Sequence, residues 1–330
     1  MIISKTPFRI SFFGGGSDYP EWYSKFGGQV ISTTINKYAY IYVRELPKLY
    51  DYNYRVIYSK DEIANDLNKI KHKPVREILK YFKIKKPLHI QYDGDLPARS
   101  GMGSSSAFVV GFLNNILTLQ KKKFTRRYLA EKSIFLEKSI LKETVGSQDQ
   151  IACTYGGLNN IKFNKNGSFK VEKINLNKIK LRELESNLFL VYSKVQRIAE
   201  VVAKTFVNSL SDKNYKNMEK INSLLNEAKN NLKSNNFDLF GELLNQSWIV
   251  KKQLSNKISS KNLDEIYNNA IKAGATGGKL LGAGGGGFFI FYVKKKNQKK
   301  FLKKANNLNI LPFKFDTDGS KVISNTKTDF

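Results

Sequence analysis

A single cysteine, Cys153, leaves no internal disulfide to be made, and a reducing compartment is its natural setting. Long apolar runs are also missing. The two nearest approaches are Ala107 to Leu119, broken by Asn114 and Asn115, and Leu280 to Val293, which is rich in glycine. Neither reaches the roughly 20 apolar residues of a membrane helix. The stretch from Met1 to Pro7 lacks the basic segment, apolar core and small-residue cleavage site of a secretory signal, so a cytoplasmic location is expected. Histidine is scarce: His72 and His89 fall outside every motif and take no role. Acidic residues number 28 against 56 Lys and Arg, a net charge of +28. Such a charge points to an anionic partner, nucleic acid first. The lysines and asparagines are spread, however, through exposed-looking segments such as Asn175 to Lys180 and Lys213 to Asn217. Solvated faces account for them, and the field would still draw in small phosphorylated molecules.

What is present is enough apolar matter, 41% of 330 residues, for two packed lobes. The first third alternates like strands and turns. Phe8 to Phe13 is a short apolar run, Gln29 to Glu45 is rich in Val, Ile, Thr and Tyr, and Leu88, Ile90 and Tyr92 share a face. Ser104 to Leu119 reads as a buried helix, and Phe124 to Lys142 has helical spacing. Leu188 to Tyr192 predicts a strand, followed by helices over 197–210, 214–233, 236–254 and 262–273. Gly287 to Val293 predicts a strand, 297–308 a helix and Leu311 to Phe315 a last strand. The expected class is α+β in two lobes, 1–185 and 186–330.

Three glycine-rich segments carry chemistry. The most specific runs from Asp95 to Ala107 and includes Pro97, Arg99, Gly101, Met102, Gly103, Ser104, Ser105 and Ser106. A strand enters it and an apolar helix leaves it. Glycine lets backbone approach a ligand, and a helix start offers free N–H groups and a positive dipole end to phosphate. No Walker A match exists, and the G-x-G-x-x-G pattern breaks after Gly103. The second segment, Pro7 to Pro20, sets Arg9, suited to phosphate charge, and Asp18, an acceptor for sugar hydroxyls, around Gly14, Gly15, Gly16 and Ser17. The third, Lys279 to Gly287, puts five glycines before a buried strand.

Taken together and in this order, the segments resemble the three motifs of the GHMP kinases. The Gly14 to Trp22 run and the Val145-Gly146-Ser147-Gln148-Asp149-Gln150 run are similar to the group acting on D-glycero-D-manno-heptose 7-phosphate. The resemblance implies a first lobe like domain 2 of ribosomal protein S5 and a ferredoxin-like second lobe. It implies transfer of the ATP γ-phosphate to an anomeric hydroxyl, giving the 1,7-bisphosphate for nucleotide-activated heptose and surface polysaccharide. By that resemblance Asp149 is the catalytic carboxylate and Arg9 acts beside the γ-phosphate. Residues Pro97 to Ser106 hold ATP, with Ser105 and Glu137 on Mg²⁺. Gly15, Gly16, Ser17, Asp18, Gly284, Gly285 and Gly286 face the sugar, and Lys194 or Arg197 meets its phosphate. The partners implied are ATP and a sugar phosphate, with no membrane and no nucleic acid. A fucokinase- or galactokinase-like enzyme is the nearest alternative. A basic RNA-binding protein is the remote one, and no RNP-type or KH-type pattern supports it.

Overall fold

The computed structural model describes residues 1–196, 199–305 and 307–326. Its strands are β1 (Ile2–Phe13), β2 (Gly28–Glu45), β3 (Tyr54–Ile57), β4 (Asp61–Ala64), β5 (Leu88–Gly94), β6 (Asn159–Phe163), β7 (Phe169–Lys173), β8 (Leu188–Tyr192), β9 (Gly277–Leu280), β10 (Phe288–Tyr292), β11 (Asn309–Leu311), β12 (Phe315–Asp316) and β13 (Lys321–Asn325). The first sheet has the order β13-β1-β2-β5-β3-β4, with β12 and the β6–β7 pair also joined at β2. The second has the order β11-β8-β10-β9.

In chain order the helices of the first half are α1 (Pro20–Phe26), α2 (Lys73–Tyr81), α3 (Ser104–Leu119), α4 (Arg126–Phe135), α5 (Gln148–Tyr155) and α6 (Lys178–Ser186). Those of the second half are α7 (Ala199–Ala203), α8 (Tyr215–Lys233), α9 (Phe240–Gln253), α10 (Lys261–Ala273) and α11 (Gln298–Lys304). Helix α3 is apolar around its circumference because it is the core of the first lobe, packed on β1 and β2. The asparagines that interrupt its run are buried, and their amide N–H groups are bonded: Asn115 Nδ2 donates to the Ile41 carbonyl at 2.7 Å and Asn114 Nδ2 to Ser320 Oγ at 3.2 Å. A Cβ at Gly111 would stand 2.7 Å from Ile41 Cδ1 and 2.8 Å from Thr6 Oγ1, so glycine there lets helix and sheet close.

The chain departs from the simple two-part division. Strand β12 pairs with β2, and β13 runs antiparallel to β1 in the register Ile2 with Asn325. Residues 315–325 thus complete the first sheet, and the second lobe is inserted between α6 and β12. The expected strand over Leu311 to Phe315 is split in two, because Pro312 has no N–H to give a ladder. In the stretch expected as a helix over 197–210, the described residues form the short α7 and a 3₁₀ turn at Val207–Ser209. A π turn over Leu136–Ile140 continues α4 toward the site.

Candidate active site

Strand β1 delivers its side chains alternately to two sides. Phe8, Ile10 and Phe12 are fully buried in the core. Arg9 and Ser11, two residues apart on the other side, both line a cleft of about 380 Å³ between the lobes. Arg9 is 3% exposed and grips Asp149 with a two-pronged fork, Nε to Oδ1 and Nη2 to Oδ2, each 2.7 Å. Its Nη1 donates to the Gly101 carbonyl at 2.6 Å, and its own N–H donates to the Met102 carbonyl at 3.1 Å. One arginine therefore fixes both the carboxylate and the glycine turn opposite it. Burial works against the Arg9 charge, but Asp149 outweighs it and the guanidinium is held above its ordinary value.

The turn over 99–103 is built from left-handed residues. Arg99, Gly101 and Gly103 have φ of 61°, 77° and 76°. Gly103 caps α3, and a Cβ there would come within 3.2 Å of Asp149 Oδ2 and 3.3 Å of Arg9 Cγ. Glycine thus brings the helix start against the carboxylate, with the first-turn N–H groups facing the cleft. Ser104, Ser105 and Ser106 all line it. Ser105 is exposed, whereas Ser106 is buried and its hydroxyl donates to Glu137 Oε2 at 2.8 Å. The Glu137 carboxylate is fully buried and also accepts from the Gln150 amide. Burial pushes its pKa up to about 8.

Asp18 lies 1% exposed beneath the second glycine segment. It accepts from the Gly16 N–H at 3.0 Å and the Gln148 N–H at 3.3 Å. Burial first, and the Asp149 charge next, raise its pKa above the ordinary carboxylate range. A Cβ at Gly146 would collide with Asp18, which explains the glycine in the Val145 to Gln150 run.

Of the residues expected from the sequence, Arg9, Gly15, Gly16, Asp18, Arg99, Gly101, Gly103, the three serines and Asp149 converge on the cleft. The others stand elsewhere. Pro97 is exposed and Met102 is buried, outside the lining. Ser17 is fully buried and its hydroxyl is engaged with Gly14 and Gln29 backbone. Gly284 would press a Cβ on Ile258 and Gly286 on Val195, so these two glycines admit backbone rather than sugar. Gly285 likewise lies outside the lining, its N–H bonded to the Ile258 carbonyl. Lys194 is exposed after β8 and does not line the cleft. Arg197 lies outside the described residues.

Other lining residues carry no role in the sequence reading: Ser11, Gln148, Lys251 and Lys279. Lys251 Nζ donates to the Leu280 carbonyl at 2.8 Å and to the Gly282 carbonyl at 2.6 Å, holding the third loop in place. Ser11 had a usable signal, the two-residue step from Arg9. The lysines had none, because their reach across the lobes has no local pattern.

Two family models match the chain: GHMP kinases N terminal domain over residues 68–157 and GHMP kinases C terminal over 228–309. Among curated proteins, D-glycero-alpha-D-manno-heptose 7-phosphate kinase of Campylobacter jejuni is 31% identical over 296 residues, covering 86% of each chain. Galactokinase of Pyrococcus furiosus is 26% identical, again over 86% of each. Among solved structures, a D-glycero-D-manno-heptose 1-phosphate kinase from Bacteriodes thetaiotaomicron superposes with a TM-score of 0.80 over 99% of this chain and 100% of its own, at 23% identity. Among the described residues no helix is long and apolar enough to cross a membrane. The chain belongs to the GHMP kinase family and is a phosphotransferase with that family's fold.

Proposed function

We propose that this kinase transfers the γ-phosphate of ATP to the anomeric hydroxyl of D-glycero-D-manno-heptose 7-phosphate. The observation that carries the reading is the Asp149 carboxylate, held by the Arg9 fork against the glycine turn and the start of α3. In the proposed reaction the anomeric oxygen forms a bond to the γ-phosphorus. The bond from that phosphorus to the bridging oxygen of ADP breaks, and the hydroxyl proton passes to Asp149. Each Asp149 oxygen gives one lone pair to Arg9 and keeps another for the acceptor. Arg9 acts through Asp149 and Gly101 as a positioning residue. The N–H groups of the first α3 turn take phosphate oxygens, and Asp18 takes a sugar hydroxyl. Positioning and charge stabilisation supply most of the rate in such transfers.

The residues fit a Mg²⁺ ion. Among the described residues no group of three or more His, Cys, Asp or Glu could cage a metal alone, so the ion would depend on phosphate oxygens, as Mg²⁺ commonly does. Glu137, a buried carboxylate with no cationic partner among its hydrogen bonds, joins the Ser106 hydroxyl at the start of α3. This pair supplies hard oxygen donors beside the phosphate site, and it favours Ser106 over the exposed Ser105. Bound there, Mg²⁺ would neutralise charge on the β- and γ-phosphates.

The choice of heptose 7-phosphate rests on the likeness to the Campylobacter jejuni kinase. Phosphorus NMR of the product from heptose 7-phosphate and Mg-ATP should show a new sugar 1-phosphate signal. A panel with galactose and fucose should turn over at least about tenfold more slowly in kcat/KM, the loss of roughly one charge-assisted bond to phosphate. Preference for an unphosphorylated sugar would overturn the substrate assignment.

A further inference from the structure

The cleft contains a buried cation to which the reaction above gives no task. Lys279, on β9 of the second lobe, is 4% exposed and reaches across to the first lobe. Its Nζ donates to the Phe12 carbonyl at 2.9 Å. No carboxylate among the described residues forms an ion pair with it, and two of its three N–H bonds have no acceptor there. A buried ammonium without an anion is costly, and this one lines a cleft built for anions. Next to Phe12, the Ser11 hydroxyl is 5% exposed, lines the same cleft and has no hydrogen-bond partner among the described residues. The Gln148 side-chain oxygen is likewise buried and unpartnered. A Cβ built on Gly15 would stand 4.0 Å from both Ser11 Oγ and Gln148 Nε2, so the two side chains close on one glycine of the sugar-side turn. Buried polar groups are nearly always satisfied. Two unpartnered oxygens and an ammonium with N–H bonds to spare line one cleft, a set that matches the hydroxyls of a sugar.

We propose that Lys279, Ser11 and the Gln148 amide form the floor of the acceptor subsite, the ammonium donating to a sugar oxygen beside the reacting one. The Ser11 hydroxyl and the Gln148 oxygen take adjacent hydroxyls. This deepens the reading above and rests on it. The other charged groups lining the cleft are Arg9 on β1, Asp18 in the turn, Arg99 before α3, Glu143 before α5, Asp149 on α5, Glu200 on α7 and Lys251 on α9, and of these Arg9 acts on the ammonium. Burial, with Arg9 second, lowers the Lys279 pKa to about 7. A sugar oxygen or phosphate brought to it would raise that value again.

The test uses the full-length enzyme with heptose 7-phosphate, galactose and fucose, measuring ADP release. The accepted sugar serves as probe. If only an unphosphorylated sugar is accepted, the substrate assignment falls while this inference is still read. If none is accepted, both fall. Ser11→Ala removes a hydroxyl that holds nothing in the folded chain, so the variant should fold and melt like wild type. It should raise the acceptor KM about tenfold and leave KM for ATP within about twofold. Lys279→Met should raise the acceptor KM more than Ser11→Ala does. The wild-type acceptor kcat/KM should fall as pH rises through about 7, and the Met variant should lack that limb. A lysine that only ties the lobes would change both KM values alike and leave the pH profile in place. Unchanged acceptor KM in Ser11→Ala, or a persistent limb in Lys279→Met, overturns the inference.

Discussion

Two glycine-rich loops meet in this protein, and they use glycine for different ends. At Gly103 the missing Cβ lets the start of α3, Arg9 and Asp149 converge on the cleft, whereas a Cβ at Gly101 would meet the Leu281 carbonyl at 2.8 Å, backbone of the third loop. Between Gly282 and Gly287 the glycines let one backbone lie on another. A Cβ at Gly282 would stand 2.8 Å from the Gly101 Cα, and one at Gly287 would collide with the Ser100 carbonyl. The third loop therefore braces the first from behind. Glycine density reports that something comes close, and only the neighbour says whether it is ligand or protein.

The largest effect should come from the carboxylate that packs against the first loop. Asp149→Asn keeps the shape and loses the proton acceptor. It should lower kcat about 10²–10⁴-fold with ATP affinity, measured by calorimetry, nearly unchanged. Wild-type turnover would remove Asp149 from the chemistry.

A matched pair of glycine substitutions probes the contrast directly. Gly103→Ala should lower kcat by about tenfold or more, because its Cβ disturbs Asp149, while the left-handed backbone costs only about 1–2 kcal/mol. Gly287→Ala, at φ 99° and against immobile backbone, should cost more than about 2 kcal/mol of stability and melt at a lower temperature. Equal losses in both assays for both variants would dissolve the distinction.

The serines sharpen the same contrast on a finer scale. In a Mg²⁺ titration Ser106→Ala should raise the half-saturating concentration about tenfold, the worth of one charge-assisted contact. Ser105→Ala should shift it less than about threefold. The reverse order would return the ligand role to the exposed hydroxyl.

The last effect is a slope. The Lys279 pKa is about 7 in the fold against an ordinary 10.5. Between those values the unfolded chain binds the proton and the folded chain does not, so this group makes stability rise with pH. Urea midpoints at pH 7 and pH 10 should show that rise, and Lys279→Met should remove this contribution to it. An identical slope in the variant would deny the depressed pKa.

The contrast between the loops also marks the limit of what a linear reading can reach. Arg9, Asp18, Gly101, Gly103 and Asp149 were legible because each sits in a short run whose residue types match one task. Gly284, Gly285 and Gly286 were read as sugar-facing for the same reason, and that signal is ambiguous. The return of β12 and β13 to the first sheet was hidden because pairing Ile2 with Asn325 is a long-range event with no local trace.

By itself the sequence determined the α+β class, the order of the three glycine segments and the carboxylate and arginine at their centre. Local spacing and residue chemistry suffice for these. The tertiary structure alone decided which serine joins Glu137, which glycines face protein rather than ligand, and which cation stands in the cleft. Lys279 meets the Phe12 carbonyl across 267 residues of chain. That contact exists because two lobes pack with their polar faces toward one hollow, and packing is a property of the folded surfaces rather than of any segment.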